Sequence, residues 1–188
     1  MNNVRCEWAI GHFDAYEKYH DEEWGVPVYD DGMLFEFLIL ETFQAGLSWI
    51  IILKKRENFR AAFDQFNFNK IAKYSSEKEL SLLQNQGIIP NRLKIKAAIT
   101  NAQAFLDVRK EFGSFSKYIW AFVDGKPIKN QLNFLSELPA NTPLSDKISK
   151  DMKKRGFKFV GSTVIYAHMQ ACGMVNDHLS SCYRYNQI

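Results

Sequence analysis

SDKISKDMKKRGFKFVGSTVIYAHMQAC, residues Ser145 to Cys172, reads as two helices joined by a hairpin with a glycine on either side. Ser145 can cap the first helix and Gly156 can end it; Phe157-Lys158-Phe159-Val160-Gly161 then passes at once into a second helix, Ser162 to Cys172, stopped by Gly173. Glycines let the main chain approach a ligand closely, and the start of the second helix offers free N–H groups at the positive end of its dipole. A phosphate backbone suits such a site. Lys158 and the preceding Lys153, Lys154 and Arg155 would add positive charge. An ordinary αα-hairpin with a basic solvated face carries the same pattern.

Upstream, LILETFQAGLSWIIIL (Leu38–Leu53) begins inside a helix that is apolar almost all round, from Met33 to Phe43, and that Asp30 or Asp31 can cap. Such a helix belongs in an interior. Glu41 is the exception in its last turns, and a buried carboxylate must be paired, shift its pKa or face a cavity. Gln44-Ala45-Gly46 then breaks the run, and Ser48 can cap a second helix from Trp49 to about Phe63. The turn therefore brings Glu41 and Trp49 together. They form either a site or a structural carboxylate beside a core tryptophan, and the pattern alone leaves both readings open.

The remaining segments are helical where they are periodic. Residues 1–29 read as an irregular arm; Asn69–Tyr74 forms a short helix, and Ser76–Glu79 is a capping box opening another that stops at Gly87. From Leu93 to Leu106 apolar residues recur at helical spacing, closing near Gly113, and Ser114–Val123 adds an aromatic helix before the turn at 124–127. A looser section runs to Pro143. No segment alternates apolar and polar over strand length, so the expected class is all-α. With 188 residues and no linker, the chain suits a single domain, 1–188, with room for two lobes.

Composition narrows the partners. A net charge of +3 and a pI near 8.7 are compatible with a polyanion, and an aromatic share of 14% leaves rings available to line a cavity. Three cysteines without an N-terminal apolar segment point to a reducing cytoplasm, not a secreted disulfide framework. The longest apolar run is too short for a bilayer, so no membrane partner is expected. Cys6 and His20 stand near one end, His178 and Cys182 near the other; the latter two are spaced to share one face of a helical turn. Two thiolates and two imidazoles would make a closed tetrahedral zinc site of the structural type. On spacing alone, bonded core histidines and a small buried Cys182 are the favoured reading.

GFKFVGSTVIYA together with GIIPNRLKIKAAI (Gly87–Ile99) resembles the helix-hairpin-helix DNA glycosylases. YHDEEWGVP (Tyr19–Pro27), ETFQAGLSW (Glu41–Trp49), LKKRENFR (Leu53–Arg60), KKRGFKFVGST (Lys153–Thr163) and MQACGMVNDH (Met169–His178) narrow the resemblance to the 3-methyladenine DNA glycosylase I family, across nearly the whole chain. The resemblance implies alkylated double-stranded DNA as substrate, a base flipped into a pocket, and free 3-methyladenine as product, starting base excision repair. It also implies a structural zinc on Cys6, His20, His178 and Cys182, joining the arm 1–29 to the segment 174–188. Glu41 would be the catalytic residue, chiefly through recognition and electrostatics and secondarily by activating water. A flat cationic base is well held by aromatic faces, which suits Trp49 with Tyr16, Tyr19, Trp8 and Trp24. Gly46 and Leu47 would enter the space left by the flipped nucleotide, while Lys158, Gly161 and Ser162 grip the backbone.

Two absences shape the expected chemistry. Bifunctional relatives in the superfamily carry a lysine two positions after the hairpin's last glycine, where this chain has Thr163, so no lyase step is expected. Asp177 adjoins a proposed metal ligand and is not expected to be catalytic. Phe43 stands where some relatives are polar. A monomer is expected. The alternatives are a zinc-stabilised DNA-binding or damage-sensing module and, lower, a zinc hydrolase, which four protein ligands would leave without a position for water.

Overall fold

The computed structural model describes residues 4–188. A 3-10 turn at Glu7–Ala9 is followed by α1, Asp14–Glu22. The arm is thus more ordered than its sequence suggests. DAYEKYHDE turns only Tyr16, Tyr19 and His20 inward, too few apolar positions to register as a periodic run.

Helix α2, Asp31–Gln44, runs through the interior as expected: Asp30 accepts the Met33 N–H as N-cap, and the helix is buried without a break from Phe37 to Phe43. It packs on α3, Trp49–Lys54. The single helix expected from Trp49 to Phe63 is instead divided at Lys55, with α4 spanning Arg56–Ala62. Tertiary bonds explain the break. Lys55 Nζ reaches the carbonyls of Gln86 and Gly87, and buried Arg56 pairs with Glu23 at 2.7 Å and Glu36 at 2.6 Å. Ser48 makes no side-chain cap bond.

Then follow α5, Phe68–Ile71, and α6, Ser76–Gln84, whose cap is Ser75 accepting from Lys78, not a box at Ser76. The long amphipathic helix is α7, Arg92–Phe112, capped by Asn91 and closed by Gly113 at φ 85°. It packs on α2, α5, α6 and on α8, Phe115–Trp120. Ring contacts such as Phe35–Phe105 at 5.0 Å tie α2 to α7.

Strand β1, Ile128–Lys129, precedes α9, Pro143–Lys154, and α10, Ser162–Ala171; β2, Val175–Asn176, pairs parallel with β1. Among the described residues the fold is therefore helical with one two-residue ladder, too short to show as alternation. Thr142 caps α9, and Ser145 completes the box from within the first turn. Beyond the ladder, Ser180 N–H donates to the Leu132 carbonyl at 2.7 Å. These bonds fasten the loop after β1 to the C-terminal segment. That segment turns without forming a helix, so His178 and Cys182 do not lie on a helical face.

Gly173 brings the arm onto α10. A Cβ there would stand 2.5 Å from the Val26 carbonyl oxygen, and its φ is +66°. Only glycine fits both demands. The close passage allows Val28 N–H to reach the Cys172 carbonyl and Gly25 N–H the Gln170 carbonyl, which sets Trp24 beside α10.

Candidate active site

α1, α2 and α3 meet around a cavity of about 230 Å³, and the arm adds two tryptophans. All six residues expected in a base pocket line it: Glu41, Trp49, Tyr16, Tyr19, Trp8 and Trp24. Tyr19 and Trp49 lie 5.2 Å apart with tilted rings, and Trp8 meets Trp24 edge to face at 4.9 Å. Glu41 is 3% exposed. Its Oε2 has no hydrogen-bond partner, and neither has the buried Nε1 of Trp49. Burial without a compensating cation raises the Glu41 carboxyl to about 8. A buried acid lacking partners beside a cavity is a group arranged for a ligand.

Sequence reasoning missed part of the wall. Gln170 and Ala167 face the cavity from α10, and Leu135 and Leu138 close it from the loop after β1. Gln170 lay within MQACGMVNDH, one helical turn from Ala167, so its face was recoverable once α10 was placed. Leu135 and Leu138 carried no local signal, because the ladder to β2 puts them there.

In the turn after α2, Gly46 is at φ +80° and Leu47 is exposed. Buried Lys94, from the first turn of α7, donates to the carbonyls of Phe43 at 2.7 Å and Ala45 at 2.6 Å. A second cavity of about 190 Å³ lies between this turn, Glu41 and the outer side of α10 at Thr163 and Val164. Glu41 therefore borders two adjoining spaces.

In the hairpin, Lys158 is exposed and Gly161 is the N-cap of α10. Gly161 has φ −62°, and a Cβ there would meet nothing within 4 Å. The fold itself does not need this glycine, whereas an external group approaching the main chain would. Asn101 of α7 accepts from Lys158 N–H at 2.7 Å and donates to its carbonyl at 3.0 Å. Ser149 donates to the Val160 carbonyl at 2.6 Å, and Ser162 Oγ meets Ser145 Oγ at 2.7 Å. Phe159 is held at φ 55°, a left-handed conformation costly for a bulky residue. Arg155, expected to add charge beside the hairpin, is instead paired with Glu111 and Asp151 at 2.7 Å each.

Cys6, His20, His178 and Cys182 converge, their four ligand atoms all within 4.8 Å of one another. Cys182 Sγ is 3.5 Å from His20 Nε2, and each sulfur is 3.6 Å from His178 Nδ1. The far nitrogens are held by acceptors: His20 Nδ1 by Asp21 at 2.8 Å, His178 Nε2 by the Trp24 carbonyl at 3.0 Å. Those acceptors put the proton on the far nitrogen and turn the unprotonated inner nitrogens toward the two sulfurs. Next to His178, Asp177 accepts from Tyr166, Gln170 and Asn130. Among the described residues no helix is long and apolar enough to cross a membrane.

A hairpin platform beside an aromatic pocket closed around a buried acid is the arrangement of a DNA glycosylase. The methyladenine glycosylase family matches residues 8–185, and the chain belongs to that family. It is 50% identical over 178 residues to DNA-3-methyladenine glycosylase 1 of Escherichia coli K12, covering 95% of each chain. A crystal structure of 3-methyladenine DNA glycosylase I superposes with a TM-score of 0.93 at 51% identity, over 96% of this chain and 98% of the other. A Staphylococcus aureus structure described as the basis of 3-methyladenine recognition superposes at 0.90 with 37% identity, over 93% and 94%.

Proposed function

We propose that this protein is a monofunctional DNA-3-methyladenine glycosylase, acting as one domain over residues 1–188. It flips the lesion out of alkylated double-stranded DNA and hydrolyses its N-glycosidic bond, starting base excision repair. The observation that carries the reading is Glu41: a buried carboxyl without partners, facing a cavity walled by aromatic rings. A module that only bound DNA would have no use for it.

The residues divide the work. Lys158, Gly161 and Ser162 hold the phosphate backbone at the start of α10, with the hairpin already locked by Asn101 and Ser149. Gly46 and Leu47 fill the gap in the duplex after the base has left the stack. Trp49 and Tyr19, with Tyr16, Trp8 and Trp24, receive the flat cation on their faces. As the cationic base enters, Glu41 gives up its proton and opposes the positive charge, accepting a hydrogen bond from the exocyclic amine. When the bond from sugar to base breaks, its electron pair moves onto the ring and the base leaves neutral. Water supplies the new oxygen on the sugar carbon, and its proton passes to Glu41 or to solvent. Thr163 offers no amine, so no Schiff base forms.

Three of the ring-nitrogen to sulfur separations in the Cys/His cluster, at 3.5–3.6 Å, fit a tetrahedral zinc, for which bonds of about 2.0 and 2.3 Å give edges of about 3.5 Å. Zinc on Cys6, His20, His178 and Cys182 would supply a cross-link and no reaction chemistry. His20 and His178 lie against Trp8 and Trp24, so the cross-link also steadies one wall of the pocket. Alkylated chromosomal DNA and three buried free cysteines fit a cytoplasmic site of action.

The test is chromatographic detection of free bases after incubating the protein with alkylated duplex DNA. Release of 3-methyladenine, lost with Glu41→Gln and reduced with Trp49→Ala, supports the reading. Zinc-loaded, folded protein that releases nothing would leave a DNA-binding module.

A further inference from the structure

Two buried polar side chains on α7 touch neither the base pocket nor the bond that breaks, and each holds the main chain of a segment assigned to DNA. Lys94 donates to the carbonyls of Phe43 and Ala45, at the root of the turn carrying Gly46 and Leu47. Asn101 makes a two-bond clasp on the backbone of Lys158 at the tip of the hairpin. Lys94 and Asn101 face the same way along α7, two turns and about 10.5 Å apart. We propose that α7 acts as a ruler. Through Lys94 and Asn101, as positioning residues, it sets the distance between the turn that enters the duplex and the hairpin that grips the backbone, so that both engage one DNA molecule while Glu41 faces the flipped base.

Both anchors are stiff. Lys94 loses its hydration by burial, which lowers its pKa, and is compensated by carbonyls at the negative end of α2. Asn101 is fully buried, and its amide satisfies the Lys158 N–H and carbonyl together. The helix between them is embedded in the core through α2, α5, α6 and α8. Neither anchor lines the cavity beside Glu41 and Trp49. Loosening one should therefore spare the pocket and disturb its alignment with DNA.

The inference rests on the glycosylase reading, and the experiment keeps the two apart. Full-length wild type, Lys94→Met, Asn101→Ala and the double variant are compared by thermal melting. Binding of free 3-methyladenine is followed by tryptophan fluorescence, affinity for undamaged duplex is measured across salt, and single-turnover base release is measured from alkylated duplex. Both single variants should bind the free base as wild type does. Asn101→Ala should weaken undamaged duplex binding about tenfold with a flatter salt dependence. Lys94→Met should leave that affinity within about twofold and slow base release about tenfold or more, up to the roughly 100-fold that a misplacement remote from the chemistry can cost. The double variant should release base no more slowly than the worse single one, since one freed end already loses the spacing. Lys94→Arg and Asn101→Ser, which keep a hydrogen-bonding group without adding a buried negative charge, should fall between and carry the test if the truncations do not fold. Folded variants with wild-type release and duplex affinity would overturn the proposal, as would free-base binding that falls in parallel with release. A wild type that releases no base would instead overturn the glycosylase reading.

Discussion

Glu41 and Asp177 are equally buried, each 3% exposed, yet their surroundings treat them oppositely. Asp177 accepts hydrogen bonds from Tyr166, Gln170 and Asn130 at 2.6–2.8 Å and ties α10 to the loop after β1. Glu41 has an oxygen with no donor at all, and burial pushes its carboxyl up to about 8. A carboxylate with both oxygens met is part of the frame. One that the frame leaves unmet is kept for something that arrives. Gln170 joins the two regions, since it donates to Asp177 and also faces the cavity that Glu41 lines.

That contrast can be broken most sharply by exchanging each acid for its amide. Glu41→Gln is expected to reduce base release at least about 100-fold while leaving duplex affinity and its salt dependence intact. Paired measurements of release and of DNA binding check this. A parallel collapse of duplex binding would show that Glu41 is structural after all. Chelation, or Cys182→Ser, comes next in size. It should free the arm and the C-terminal segment together, lowering the melting temperature by several degrees or more and admitting protease near residue 20. An unchanged melting curve after verified metal loss would remove the cross-link from the scheme.

Asp177→Asn should have the reverse signature to Glu41→Gln. It places an amide N–H₂ against donors and is expected to cost about 1–3 kcal/mol of stability, with base release within a few-fold of wild type, as read by chemical denaturation and turnover. Glu41 also makes stability depend on pH. Below about pH 4.5, the ordinary value for its carboxyl, Glu41 is protonated in both folded and unfolded chains and contributes no difference. As pH rises from there to about 8, the unfolded chain loses this proton while the folded protein keeps it, so stability falls by up to about 1.4 kcal/mol per unit and then levels. Glu41→Gln lacks this dependence. It should match wild type near pH 4.5 and exceed it at pH 8 in denaturation midpoints, and midpoints that run parallel across the range would mean that Glu41 is ionised in the free protein.

Much of the frame was legible from residue order because helices are local objects. The Asp30 cap, the buried run from Phe37 to Phe43, the end of α2 before Gly46 and the passage from α9 through the hairpin to α10 all depend on neighbours within a few positions. Glu41 could be singled out for the same reason, as the acid in the apolar last turns of α2. Local signals failed where distant partners intervened. Arg56 split the expected long helix by pairing with Glu23 and Glu36, and the mostly polar α1 was concealed because its inward residues find their partners elsewhere in the chain.

Residue types and their short-range periodicity thus set the helical class, the hairpin and the identity of the suspect acid. Whether that acid would meet a donor was decided by packing alone, since any donor had to come from another element. The same holds for the four Cys and His ligands, drawn from opposite ends of the chain and brought within 4.8 Å, and for Leu135 and Leu138, carried to the pocket by a two-residue ladder. Helix signals act over the few residues of one turn. Hydrogen-bond satisfaction is a property of whatever the whole fold brings within about 3 Å, and it appears only when the chain has closed on itself.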